Sequence, residues 1–192
     1  MKSIFAVAAT AALIVSMPAH ANSVISAGLK PVQECAIAAG KQSLTDRQTA
    51  KAMAACNAAL NSDLSQTAIA GTLVNRGLIK AAAHDDAAAI ADFDAGLSHD
   101  ANLSAGYMSR GAALLRTGRF DAARADFDHA IALSATDLHV AYFNRGEAEE
   151  ASGDTLAAYH DYRRAQELAP DFKPASLELA RFQVVRRVAD GH

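Results

Sequence analysis

The feature that most constrains this chain is a residue pattern that occurs three times between positions 73 and 165. Each copy contains a glycine. Counted from that glycine, an alanine follows after twelve residues, an aspartate after fifteen, an aromatic residue after sixteen and a small residue after nineteen. The glycines are Gly77, Gly111 and Gly146, so the intervals are 34 and 35 residues. A period of this length is typical of a solenoid of helix-turn-helix repeats, in which each repeat packs mainly on its neighbours.

The small residues of each copy predict two antiparallel helices in close contact. Glycine on the first helix, and two small residues on the second, remove side-chain bulk, so the helix axes can approach to the short end of about 8–10 Å. Aromatic residues beside each crossing then fill the remaining space. We interpret them as core residues rather than ligand-stacking residues, because apolar residues at helical spacing are normally buried. They include Tyr107, Phe127, Tyr142 and Tyr162.

Charged residues recur with the same period. An arginine precedes each glycine, and an aspartate follows each arginine by sixteen residues. This spacing predicts an ion pair between the two helices of each repeat. The predicted pairs are Arg76 with Asp92, Arg110 with Asp126, and Arg145 with Asp161.

Taken together, these positions resemble the tetratricopeptide repeat over residues 67–170. Pro170 ends the last copy, as a proline often does in that family. The resemblance implies an all-α fold, a right-handed α-solenoid of three full helix-turn-helix repeats. Residues 171–192 are then expected to form a C-terminal capping helix and tail, because the last repeat of a solenoid has no neighbour.

The first residues of the chain are typical of a secretory signal peptide. Lys2 is the only charged residue before an apolar run over residues 4–17, and the sequence Ala-His-Ala ends at Ala21. This pattern predicts cleavage after Ala21 and removal of residues 1–21. The apolar run is shorter than the roughly 20 residues that a membrane span needs. We therefore expect a periplasmic or secreted protein without a stable membrane anchor.

Residues 22–66 are interpreted as a degenerate first repeat. Gly40, Ala52, Cys56 and Ala59 have the spacing of the later copies, with Cys56 in the place of the aromatic residue. Antiparallel pairing of the two helices brings Cys56 opposite Ala36, immediately beside Cys35. In an exported chain this placement favours a disulfide between Cys35 and Cys56 over two buried free thiols, which remain the alternative.

The final helix is expected to cover the last repeat. Leu177, Ala180, Val184 and Val188 lie near one face of a helix over residues 174–189, which predicts that this face is buried. The alternative is a docking helix that uses its arginines. These are Arg181, Arg186 and Arg187.

No motif for catalysis or cofactor binding was found in the sequence. It has no serine in a glycine-flanked elbow, no phosphate-binding glycine loop and no paired histidines at metalloprotease spacing, so we expect no enzyme, cofactor or metal site. Histidines near acidic residues, such as His84 and His99, are interpreted as solvated turn residues. The formal net charge of −3 gives no electrostatic reason to expect nucleic acid.

The resemblance implies that a partner binds in a concave groove lined by the first helix of each repeat. Members that hold a C-terminal carboxylate use basic residues there, whereas this chain has glutamates, so an acidic tail is not the expected ligand. The groove is expected to be apolar in its middle and charged at one side. The implied groove residues are Val74, Asn75, Leu78, Met108, Leu115, Arg116, Phe143, Asn144, Glu147 and Glu150, with Ile37, Lys41 and Leu44 added by the degenerate repeat.

These expectations predict a non-catalytic protein-interaction module of the cell envelope, with a peptide segment or protein as its partner. Two alternatives remain open at this stage. Phe143 and Leu115 could instead pack against a neighbouring helix and leave the groove unoccupied. Another copy of the chain could occupy the groove or an edge of the solenoid, which would make the protein a self-associating structural module.

Overall fold

The computed structural model describes residues 26–41 and 44–189, and these residues form nine α-helices and no β-strand. The predicted signal peptide, residues 1–21, lies outside the described residues. The helices are α1 Ser26–Ala39, α2 Asp46–Leu60, α3 Gln66–Ala82, α4 Asp86–His99, α5 Ser104–Arg116, α6 Phe120–Ala132, α7 Leu138–Ser152, α8 Thr155–Leu168 and α9 Lys173–Ala189.

The helices form successive antiparallel pairs, as expected for an α-solenoid. The pairs are α1 with α2, α3 with α4, α5 with α6 and α7 with α8, and each second helix also packs on the first helix of the next pair. Short turns join the two helices of a pair. Gly118 and Gly153 adopt positive φ in two of these turns, and His84 takes the same left-handed conformation in the turn that lacks a glycine.

First helices lie closer to one another than second helices do. In the part of the chain that the structure describes, α1 packs on α3, α3 on α5 and α5 on α7, whereas no such packing joins α2 to α4, α4 to α6 or α6 to α8. When the first helices of successive pairs contact one another and the second helices do not, the row of pairs curves towards the first helices. The first helices therefore line the concave side.

Each repeat glycine provides space for the aromatic ring of its partner helix. A Cβ atom at Gly77 would lie 2.4 Å from Cε1 of Phe93, and one at Gly111 would lie 2.8 Å from Cε1 of Phe127. Both phenylalanine side chains are fully buried. The sequence predicted close helix contact at the glycine, and the structure shows that the aromatic ring itself occupies the space.

The first pair, α1 and α2, contains the disulfide between Cys35 and Cys56. Their Cα atoms lie 4.8 Å apart, and both residues are fully buried beside Ile79 of the next repeat. The second helix begins with a capping box. In it, the side chain of Thr45 accepts from the backbone N–H of Gln48, and the Gln48 side chain accepts from the backbone N–H of Thr45.

Helix α9 packs on α8 through residues other than Leu177 and Ala180 of the predicted face. The side chains of Val184 and Val188, also predicted to be buried, lie outside the described part of the chain. Ala175 and Leu179 are buried, whereas Leu177 is 69% exposed and Ala180 is also exposed. The burial prediction for Leu177 and Ala180 is therefore wrong. The physical reason is that α9 packs through Ala175 and Leu179 on the cluster around Tyr162 of α8, and these two residues lie on another face than Leu177 and Ala180.

Candidate partner-binding groove

Three arginine–aspartate pairs hold the two helices of each repeat together. In the central repeat, Nε and Nη2 of Arg110 donate to the two carboxylate oxygens of Asp126 at 2.8 and 2.7 Å. Arg76 contacts Asp92 in the same bidentate way, and so does Arg145 with Asp161. The predicted ion pair within each repeat is thus present in all three. Two parallel charge-assisted hydrogen bonds fix the relative orientation of the helices as well as their contact.

The third nitrogen of each arginine contacts the preceding repeat, which the sequence reasoning missed. Nη1 of Arg110 donates to Asp94 at 2.6 Å, and Nη1 of Arg145 donates to Asp128 at 2.6 Å. In the first full repeat, Nη1 of Arg76 donates to Asn57 at 2.7 Å. The signal is visible in the sequence as an Asp-Phe-Asp triplet in two copies. Each arginine therefore links one repeat to the next and fixes the spacing of the first helices.

The apolar middle of the predicted groove is not exposed, so that part of the prediction is wrong. Phe143 packs between Tyr162 and Phe172, with ring centroids 5.4 Å apart in each case. The other apolar residues belong to clusters around Phe93 or Phe127. These side chains fill the interior between successive helix pairs and are 1–5% exposed. They are Val74, Met108, Leu115 and Phe143.

The predicted polar residues Asn75 and Asn144 are also buried, at 4% and 3% exposure. Ser109 occupies the equivalent position of the central repeat and is buried too. Neither Oδ1 of Asn144 nor Oγ of Ser109 has a hydrogen-bond partner in the described part of the chain. A buried acceptor without a donor is costly, by about 1–3 kcal/mol. The burial of Ser109 and Asn144 is therefore not explained by stability of the fold.

The predicted residues Leu78, Arg116, Glu147 and Glu150 are half-buried and lie on the first helices, which line the concave side. Of the residues that the degenerate repeat was expected to add, Ile37 and Lys41 are exposed and Leu44 is half-buried. Arg116 is held by both carboxylate oxygens of Asp86, at 3.0 and 3.2 Å from its Nε, which neutralises its charge. Small alanines separate the larger side chains along the first helices. We call these six residues the groove surface: Leu78, Ala81, Ala112, Arg116, Glu147 and Glu150.

The groove surface ends in an acidic cluster at α7 and α9. Arg181 of α9 donates from Nη2 to Glu150 at 2.5 Å and contacts Glu178 at 2.7 Å. The hydroxyl of Tyr162 also donates to Glu150, at 3.0 Å. Burial raises the pKa of Glu147 to about 8, and the charges of Glu178 and Glu150 add to the effect. This end of the groove surface therefore has a surplus of negative charge when all three carboxyl groups are ionised.

A second carboxyl group with a raised pKa lies on the opposite side of α7. Glu149 faces Asp161, and its Oε2 is buried without a hydrogen-bond partner in the described residues. Burial raises the pKa of Glu149 to about 7, and the charge of Asp161 adds to this, although Arg145 at 3.9 Å acts in the opposite direction. In the first full repeat the equivalent residue is Lys80, which forms a salt bridge with Asp92. The third repeat thus has a second acid where the first has a base.

Replacing Glu149 with glutamine is expected to stabilise the protein at alkaline pH. The folded-state pKa of Glu149 lies above its ordinary value, so folding favours the protonated carboxyl group. The contribution of Glu149 to the free energy of unfolding is therefore complete below about pH 4.5 and is lost as the pH rises through about 7. The difference in unfolding free energy, variant minus wild type, should therefore grow by about 1–2 kcal/mol between pH 5 and pH 8.5.

Urea unfolding at both pH values measures this difference. Glu167→Gln is the matched control, because the Glu167 side chain is half exposed and its ion pairs within the described residues are with Arg163 and Arg164 of its own helix. A difference for Glu149→Gln that is the same at pH 5 and pH 8.5 would contradict the expected repulsion between Glu149 and Asp161.

Residues 26–41 and 44–189 contain no feature typical of a metal site or a membrane span. Within these ranges, no group of three or more histidine, cysteine, aspartate or glutamate side chains could hold a metal ion. No helix there has the length and apolar composition needed to cross a bilayer. Nδ1 of His99 donates a hydrogen bond to Oε1 of Gln66 at 2.6 Å.

Comparison with known proteins identifies the repeats. The profile described as tetratricopeptide repeat matches residues 105–137 and 139–172, which include the central and last repeats. The central and last repeats of the chain thus match the tetratricopeptide repeat. The first full repeat and the degenerate repeat lie outside these matches, although α3 and α4 have the same glycine–aromatic contact and the same arginine pair. A search of curated proteins found no match.

Solved structures with this fold are similar over most of the chain. The first TPR of Spaghetti (RPAP3), bound to the HSP90 peptide SRMEEVD, is 27% identical with a TM-score of 0.59, covering 62% of this chain and 94% of that one. The first TPR domain of human RPAP3 is 26% identical, with a TM-score of 0.58 and coverages of 65% and 98%. The MamA RS-1 ArsTM double mutant, at 17% identity, has a TM-score of 0.62 and coverages of 87% and 97%. These similarities support the α-solenoid fold, and tetratricopeptide repeats are protein-interaction modules.

Proposed function

We propose that this chain is an exported, non-catalytic adaptor that binds a peptide segment or a partner protein on its groove surface. One observation carries the proposal. The first helices line the concave side of a row of tetratricopeptide repeats, and a similar repeat domain has been solved with a peptide bound. The arginine links between repeats support it, because they hold the first helices at a fixed spacing before any partner arrives.

Export to the cell envelope is part of the proposal, and it rests on the sequence of residues 1–21. A basic residue, a short apolar run and the Ala-His-Ala ending are the features that signal peptidases recognise. The disulfide between Cys35 and Cys56 is consistent with an oxidising compartment. Mass spectrometry of the protein from an envelope fraction tests this step. A mature chain that begins at Asn22 is expected, and a cytosolic chain that retains Met1 would contradict it.

Blocking the middle of the groove surface is expected to remove the partner. Ala112 lies half-buried on α5, and glutamate there would add both bulk and charge to the concave side. Wild-type protein and Ala112→Glu are used to capture partners from an envelope extract, after circular dichroism has shown that both are folded. We expect a partner that binds wild type to be reduced at least about tenfold with the variant, which corresponds to about 1.4 kcal/mol.

The matched control is Ala91→Glu, which makes the same change at an exposed position of α4, a second helix. This control should retain the partner. A partner that is lost with Ala91→Glu and retained with Ala112→Glu would place binding on the convex side and contradict the proposed site.

Self-association is the second candidate, and exposed apolar residues at the two ends of the solenoid favour it. Ile37 of α1 is 64% exposed and Leu177 of α9 is 69% exposed. Contact between one end and the other would be heterologous and could join copies in a row. Sedimentation velocity over a hundredfold concentration range tests this candidate. A constant monomer mass would exclude it.

A further inference from the structure

The groove surface contains one glutamate for which the described part of the chain supplies no cation. Glu150 and Glu178 share Arg181, with nitrogen–oxygen distances of 2.5 and 2.7 Å. Glu147 lies one helical turn before Glu150 on the same face of α7 and forms no salt bridge with any described side chain. Three carboxyl groups therefore face one guanidinium group.

The position of Glu147 makes its charge costly in the unbound protein. The residue is half-buried, and Glu150 and Glu178 add like charge. Burial, followed by these two charges, raises the pKa of Glu147 to about 8. A half-buried carboxyl group that gains no partner from its own fold does not contribute to folding stability. Its features fit a group that becomes paired when something binds.

A second unpaired acceptor lies one helical turn earlier on α7, beneath the groove surface. Asn144 precedes Glu147 by three residues, so both side chains project from the same face of α7. Asn144 is 97% buried, since its exposure is 3%, and its Oδ1 has no donor among the described residues. Two neighbouring acceptors without donors call for a ligand group that carries several hydrogen-bond donors. The ammonium group of lysine and the guanidinium group of arginine are such groups, and both carry the opposite charge.

We propose that the third repeat binds a lysine or arginine side chain of the partner, with Glu147 as its counter-ion and Asn144 as a further acceptor. This inference rests on the proposed function, because it specifies which segment the groove surface accepts. The peptide bound to the first TPR of Spaghetti has three acidic residues and one basic residue in its seven. The partner of this chain should have the opposite charge at the third repeat.

The end of the groove surface at Leu78 places a second requirement on the partner segment. Leu78 occupies in the first full repeat the position that Ala112 and Glu147 occupy in the next two. This position of the groove surface is therefore apolar in the first full repeat, small in the central repeat and acidic in the last repeat. Two steps between first helices span about 20 Å if each is near the long end of the usual helix spacing. An extended segment covers that distance in about six residues, so an apolar residue is expected about six positions from the basic one.

A random heptapeptide library displayed on phage tests the inference without knowledge of the natural partner. The library is selected on the full mature chain, on Glu147→Gln, and on Glu167→Gln as a control of equal charge change outside the groove surface. Peptides from wild type and Glu167→Gln should be enriched in lysine or arginine at one position, and those from Glu147→Gln should not. Exchanging that basic residue for glutamine should weaken binding to wild type about tenfold and to Glu147→Gln less than twofold.

Charge reversal gives the sharper outcome. Glu147→Lys should select peptides with aspartate or glutamate at the position where wild type selects a basic residue. Both variants are expected to fold, because each removes an unpaired half-buried carboxyl group.

Three outcomes would overturn the inference. In the first, peptides bind but show no basic preference; in the second, the basic preference is unchanged in Glu147→Gln. Both would leave the proposed function intact if Ala112→Glu still removes binding. In the third, the library yields no binder to wild type, and a partner captured in the Ala112→Glu experiment would then show whether the adaptor function survives without this site.

Discussion

Removing the disulfide between Cys35 and Cys56 is expected to lower the free energy of unfolding of the first helix pair by about 3 kcal/mol. The bond closes a loop with a sequence separation of 21 residues, and without it the unfolded segment gains the corresponding chain entropy. The loss should be local, because each repeat of a solenoid contacts only its neighbours. Among the described helices, α1 and α2 pack on α3 alone besides each other.

Hydrogen exchange measured peptide by peptide distinguishes a local from a global effect. In the variant Cys35→Ala with Cys56→Ala, protection of α1 and α2 should fall by about a hundredfold, whereas α7 and α8 should keep theirs. Alanine is chosen because both sites are fully buried and serine would place a hydroxyl group without a partner there.

Reduction of wild-type protein is the control for the substitutions themselves. Dithiothreitol should reproduce the exchange pattern of the double variant in wild type and should have no effect on the variant. Two alkylatable thiols in denatured, unreduced protein would show that the bond is absent, and an equal loss of protection in all helices would contradict the local character of the effect.

The sequence predicted the repeats because their residues make the same contacts in every copy. Gly77, Gly111 and Gly146 each lie against the aromatic residue sixteen positions later, and the constant spacing of the two is enough to predict the pairing. The arginine–aspartate pairs followed from the same regularity. Periodicity thus revealed contacts that are local to one repeat and repeated in the next.

The groove was harder to predict because burial depends on what covers a helix face from outside the repeat. Phe143 has the position of a concave residue, but Phe172 from the connection before α9 packs over it. The spacing of apolar residues within α7 contains no information about that connection. The same limit explains Leu177, since the rotation of α9 is set by packing on α8 rather than by its own pattern.

The link from Arg110 to Asp94 was missed for a related reason. Asp94 lies on the exposed side of α4, where a charged residue needs no special explanation. Its role becomes visible only when the next repeat is placed beside it. The repetition of Asp-Phe-Asp in two copies was the available signal. The last copy has Arg163 in place of the second aspartate, and α9 has no arginine at the position, 34 residues after Arg145, that corresponds to Arg145. Leu179 stands there instead.

Replacing Gly77 with alanine is expected to destabilise the protein by about 2–3 kcal/mol, although alanine is the better helix former. The new Cβ atom would lie 2.4 Å from Cε1 and 2.8 Å from Cδ1 of Phe93, well inside van der Waals contact. The phenylalanine ring is fully buried beside Val74, Ala89 and Ala113, so it cannot turn away without displacing other core residues. Helices α3 and α4 must therefore separate, and the bidentate contact between Arg76 and Asp92 should lengthen with them.

Gly71 provides the matched control, because it lies in the same helix and a Cβ atom there would meet nothing within 4 Å. Gly71→Ala should stabilise the protein by about 0.5–1 kcal/mol, since it lowers the backbone entropy of the unfolded chain without a clash. Urea unfolding of both variants should thus give changes of opposite sign for the same substitution six residues apart. If both glycines tolerate alanine equally, Phe93 does not occupy the space that Gly77 leaves, and the contact that defines every repeat of this solenoid would need another explanation.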